Sequence, residues 1–132
     1  AGLSCLFYPL WSDALREILN LTYTALKNQD LQLAKKIEPL EQTVDKLKSI
    51  MKKNHIRRLQ EGRCTIEQGF VLSDFIADCE RVADHCSNIG VCMLEIANHS
   101  FETHEYLNHE KVDRENSFFE EYNKYKKKYD IQ

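Results

Sequence analysis

Residues 61–68 read Glu-Gly-Arg-Cys-Thr-Ile-Glu-Gln, and this turn decides how the chain folds. Gly62 suits the left-handed backbone that stops a helix, and Thr65 with Gln68 three residues later forms a capping box that starts the next one. The pattern predicts a helical hairpin. Upstream, apolar residues recur at Leu33, Ile37, Leu40, Val44, Leu47 and Met51 in alternating steps of four and three, the stripe of an amphipathic helix running from an Asp30 cap to about Gln60. Pro39 inside this pattern predicts a kink or division near residues 35–38, since proline lacks an N–H and clashes with the preceding turn. Downstream, Leu72, Ile76, Cys79, Ala83, Cys86, Gly90, Met93 and Ala97 keep the same alternation in a helix from Thr65 to about Asn98. So many small residues imply a closely packed neighbour. Phe75, Val82, Ile89 and Ile96, seven apart, are expected to widen the apolar face on one side.

Two further helical patterns flank the hairpin. The first, about Ser12 to Lys27, sets Leu15, Ile18, Leu19, Thr22 and Leu26 on one face behind a cap at Ser12 or Asp13. The last, about Thr103 to Tyr129, carries Tyr106, Leu107, Phe118, Phe119, Tyr122 and Tyr125, read as core aromatics, and ends in a basic run suited to a helix C-terminus. Strand alternation is missing, and glycine (4) and proline (2) are scarce, so the reading is all-α. Residues 12–130 are expected to form a single domain, preceded by a linker at 1–11 that is too short to cross a bilayer and lacks the charged start of a signal peptide. A net charge of −3, with Lys and Arg spread among acids, offers no basic stripe for nucleic acid. Five cysteines without a CxxC pair read as reduced thiols packed as small hydrophobes, hence a reducing compartment.

The acids carry the chemistry. Glu80, Asp84 and Asn88 recur every four residues and so form a ladder along one flank, beside the apolar stripe. Residues 40–45, Leu-Glu-Gln-Thr-Val-Asp, repeat the arrangement of residues 79–84, Cys-Glu-Arg-Val-Ala-Asp: apolar, acid, two residues, apolar, acid. Both glutamates take the same heptad position, and in antiparallel neighbours those positions face one another. Folding back at Gly62 and Arg63 sets residues whose numbers sum to 125 level, which pairs Glu41 with Asp84 and Asp45 with Glu80. Four carboxylates would then span two helices roughly 8–10 Å apart. Such a cluster either raises the pKa of some members or holds cations, and oxygen ligands favour hard ions such as Mg²⁺, Ca²⁺, Mn²⁺ or Fe³⁺. Glu38 and Asn88 could complete the shell, and a bound cation could recruit phosphate as an outer ligand.

Ordinary ion pairing is the plainer account of either acid pair alone, through Arg81 with Asp84 and Lys48 with Asp45. The matched phase and shared register are two separate coincidences that favour a common site. His85 points away from the acid flank. His55 shares the flank but lies about 21 Å from Glu41 along the helix axis. No Glu-x-x-His pairing suits a dinuclear oxidase, and no phosphate loop or activated nucleophile is visible. A hydrolase using the carboxylates to activate water would lack any acid–base partner beyond them.

Residues 55–90, which contain Glu-Arg-Val-Ala-Asp-His-Cys-Ser-Asn-Ile, resemble the PhoU family, in particular the PhoU-like cytosolic region of bacterial Na⁺/phosphate cotransporter-type proteins. The resemblance covers about residues 12–98 and rests on two E(D)-x-x-x-D motifs, Glu41 to Asp45 and Glu80 to Asp84. It implies an antiparallel three-helix bundle, here with an added C-terminal helix. It further implies a non-enzymatic regulatory domain of phosphate uptake that binds metal (Fe, Zn, Mn, Mg or Ca) at the paired motifs. The implied setting is cytoplasmic, at the inner face of the cell membrane, with a transporter membrane domain as partner, on the same chain or another. Full PhoU proteins carry two such bundles, so one bundle here implies a homodimer or further upstream sequence. The contrasting reading is a helical protein–protein interaction module without metal.

Overall fold

Asp30 and Thr65 punctuate the chain where the sequence places its caps. The computed structural model describes residues 9–99 and 104–131, the side chains of 104–114 excepted. Within them run α1 (Pro9–Asn28), α2 (Leu31–Ala34), α3 (Ile37–Gln60), α4 (Ile66–His99) and α5 (His104–Lys128), with no strand among the described residues. Gln29 takes a positive φ of 51° to leave α1. Asp30 Oδ1 then accepts from the amides of Gln32 and Leu33 at 2.9 and 3.2 Å, satisfying two of the donors that open α2. Pro39 divides the segment as expected. Helical structure lapses at Lys35 and Lys36, and Pro39 falls in the first turn of α3, where a missing N–H is harmless.

At the hairpin turn Gly62 has φ 70°. The Thr65 amide donates to Gln68 Oε1 at 3.0 Å and the Gln68 amide to Thr65 Oγ1 at 3.2 Å, a complete capping box. Removing half of it by Thr65→Ala should lower unfolding free energy by about 1 kcal/mol. A shift in the urea midpoint with unchanged slope would show it, and an unmoved midpoint would refute it.

α1, α3 and α4 form the three-helix core, with α5 packed along α3. Glu38 meets Ser87 and Lys48 meets Glu80, so α3 and α4 run antiparallel. Trp11 packs edge-on against Phe75 while Leu26 shares a cleft with Met93 and Ile96, so α1 runs parallel to α4. The small-residue stripe of α4 does admit a close neighbour. A Cβ at Gly90 would lie 3.1 Å from Ile37 Cδ1 and 3.3 Å from the Ala34 carbonyl oxygen, so the start of α3 rests on α4 backbone there. α5 returns its C-terminus to α1, where Lys128 pairs with Glu17 at 2.7 Å and the Tyr129 hydroxyl donates to the same carboxylate.

Several expectations need correction. α1 begins at Pro9, and Trp11, 2% exposed, is a core residue, so the helical unit starts inside the segment read as a linker. Its buried face is Trp11, Ala14, Ile18, Thr22 and Ala25, while Leu19 and Leu26 are exposed. The two alanines permit a closer approach than the leucines would. Phe75, Val82, Ile89 and Ile96 are exposed as well, because α1 covers only part of the face they were expected to widen. Tyr125 and Tyr129 are buried, but Phe119 is exposed. Cys79, Cys86 and Cys92 are free thiols, whereas Cys64 is disulfide-bonded. Cys64 sits in the turn, off the helical stripe that carried the reduced-thiol reading. Residues 1–8, Thr103, and the side chains of Tyr106 and Leu107 lie outside the described set.

Candidate functional site

The level-pairing rule read from the turn governs the hairpin. Ser87 Oγ donates to Glu38, and these residue numbers sum to 125. Glu41, Asp45 and Glu80 line one small cavity between α3 and α4 together with Val44, Lys48 and Ala83, and Trp11 closes it from α1. Its volume of about 10 Å³ admits about one water or ion. Asp84 lies close enough for its charge to act on Glu41. Asn88 is exposed and makes none of the hydrogen bonds of the cluster.

Lys48 lies amid these acids. Its Nζ stands 2.5 Å from both Asp45 Oδ1 and Glu80 Oε1, bridging the helices with its own side chain only 14% exposed. Burial disfavours the ammonium, but hydrogen bonds to Asp45 and Glu80 outweigh this and raise the Lys48 pKa. The expected surface pair with Asp45 is therefore present, and it extends across the hairpin to Glu80. Spacing along one helix could show only the first half. Trp11 falls in the segment read as a linker, and Ser87 lies outside the expected ligand set. Neither role has a signature in helical spacing.

Glu41 shows what Lys48 leaves uncompensated. Burial first, then the charges of Glu38, Asp84 and Asp45, raise its pKa from 4.5 to about 7, against a lowering by Lys48. The folded pKa exceeds the unfolded one. Protonation therefore stabilises the fold fully below about pH 4.5, and that stability is lost as pH rises through about 7. At 1.36 kcal/mol per pH unit the upper bound is ~3.4 kcal/mol, which partial exposure and screening reduce to about 1 kcal/mol. Glu41→Gln should match the parent near pH 4.5 and exceed it by about that amount at pH 8 in chelator-treated buffer. Urea melts across this range check it; a pH-independent difference would refute the cause given.

The donor set suits a hard cation: carboxylates from two helices border a cavity of single-ion size, and one ammonium serves only two of them. With the side chains as they stand, no three His, Cys, Asp or Glu among the described residues enclose a metal position. A cation would thus have to take Asp45 and Glu80 from Lys48. Trp11, which lines the same cavity, also has a buried indole N–H without an acceptor.

The described residues form an all-α bundle in which acids of both motifs border one cavity across a helical hairpin. The PhoU domain model matches residues 11–93, well over half of the chain. The chain belongs to the PhoU family, helical regulators of phosphate transport. No curated protein and no solved structure matches it. Among the described residues no helix is long and apolar enough to cross a membrane.

Proposed function

We propose that this chain is a cation-responsive regulatory domain that modulates a Na⁺/phosphate cotransporter. Glu41, Asp45, Glu80 and Asp84 would hold the cation, with Glu38 and Asn88 at the margin. The single observation that carries this reading is the cavity bordered by acids of both helices, whose charge Lys48 only partly cancels. A bound ion would neutralise the repulsion that raises the Glu41 pKa and draw α3 and α4 together. The domain acts without turnover, from the cytoplasmic side of the membrane. Its partner is the transporter's membrane domain, on the same chain or a separate one, and pairing with a second copy would supply the second bundle. Elemental analysis of protein purified without chelator tests the metal. About one or more equivalents of Fe, Zn, Mn, Mg or Ca, reduced in Glu41→Gln and Glu80→Gln, is the expected result, and protein that stays metal-free under generous supply refutes it.

A second reading, a metal-free helical interaction module, draws support from Lys48, which already occupies Asp45 and Glu80. The same analysis separates the two.

A further inference from the structure

A second cleft lies further along the same hairpin flank, toward the turn. Its volume is about 300 Å³, and its polar lining is Lys52, His55 and Ser73 over a floor of Leu72 and Ile76. No carboxylate is among the described residues that line it. His55 is 7% exposed, and neither ring nitrogen has a hydrogen-bond partner. Both nitrogens are themselves covered, Nε2 against Gly69, so the imidazole has to turn within the cleft before it can donate to a ligand. Its seat depends on Gly69, where a Cβ would lie 2.8 Å from His55 Nε2. Lys52 joins none of the ion pairs among the described residues. It opens a basic run of Lys52, Lys53, His55, Arg57 and Arg58 on α3. Of these, Lys52 and His55, three apart, share the face that lines the cleft.

From the unpartnered imidazole, the unpaired ammonium and the hydroxyl in one acid-free cleft, we infer that Lys52, His55 and Ser73 form a site for a phosphate-type oxyanion. Ammonium, imidazole N–H and hydroxyl are three donors of different reach, which suit a tetrahedral anion with several acceptor oxygens better than a planar carboxylate with two. The cleft exceeds the size of the oxyanion alone, and its apolar floor admits the small organic body of a phosphomonoester. This site is separate from the acid cluster and needs no metal.

The test is an NMR titration of the whole chain in chelator-containing buffer, once with inorganic phosphate and once with phenyl phosphate, against chloride at equal ionic strength. Saturable shifts at the His55 ring and at the Gly69 and Ser73 amides are expected, weakened about tenfold by Lys52→Ala or His55→Gln and unchanged by Glu41→Gln. Lys52 is exposed, so its variant keeps the test open should His55→Gln fail to fold. Tighter binding of phenyl phosphate assigns a phosphomonoester; equal binding assigns phosphate itself. Shifts that appear only with added metal, that map to Glu41 and Glu80, or that follow chloride equally overturn the inference.

Discussion

Lys48→Met in chelated, low-salt buffer at pH 7 is expected to lose about 2 kcal/mol of unfolding free energy. Methionine keeps the aliphatic packing of the lysine stem but removes the ammonium that touches both Asp45 and Glu80. Two charge-assisted hydrogen bonds would ordinarily contribute more, but Asp45 and Glu80 are 47% and 42% exposed in their side chains and can turn to water. The remaining penalty is mutual repulsion among acids confined to one cavity. Added Mn²⁺ should restore more stability to the variant than to the parent, because nothing then competes for the carboxylates. Adding Glu80→Gln to the variant should recover part of the loss, which a double-mutant cycle would read as coupling. Urea melts decide the matter. A variant as stable as the parent would mean that the bridge contributes nothing, and equal Mn²⁺ effects would remove the competition from the metal reading.

Ile37→Ala should lower stability by about 3–4 kcal/mol. Ile37 is fully buried at the first residue of α3, and its side chain lies over Gly90, where α4 offers no Cβ. Truncation leaves a void between two backbones that cannot easily collapse, since the chain on one side is fixed by the Asp30 cap and on the other by a long helix. The contact also sets the level of Glu38 against Ser87, one turn before Glu41. Loss of any cation affinity should therefore accompany the loss of stability in Ile37→Ala. Calorimetric unfolding that changes by less than about 1 kcal/mol would show that the close approach at Gly90 is not what fixes the hairpin.

The hairpin was legible because each of its determinants is local. Gly62, the Thr65 and Gln68 box and Asp30 act on backbone groups within a few residues, and the apolar stripes of α3 and α4 keep one period throughout. Once the turn was placed, the level pairing of the acid motifs followed from it. The outer helices were harder. Leu19 and Leu26 are more apolar than Ala14 and Ala25, yet the alanines are buried, since interhelical distance rather than hydrophobicity selected the face. The gathering of Glu41, Asp45 and Glu80 about one cavity was legible, and what stands around them was not. Lys48 could be paired with Asp45 by spacing, but its reach to Glu80 depends on where a long side chain settles between two helices. Trp11 lies 30 residues before Glu41, the nearest acid of the cavity it closes, and no pattern along the chain joins them.

The brevity of the α3–α4 connection bears on how the protein acquires its structure in time. Closing so short a loop sacrifices little chain entropy, so both acid motifs can meet before α1 arrives with Trp11. The transition state for folding should then already contain the turn. Thr65→Ala would slow refolding more than it hastens unfolding, giving a high φ-value, whereas substitutions on α1 would act chiefly on the unfolding limb. The two acid motifs would thus be assembled ahead of the rest of the molecule.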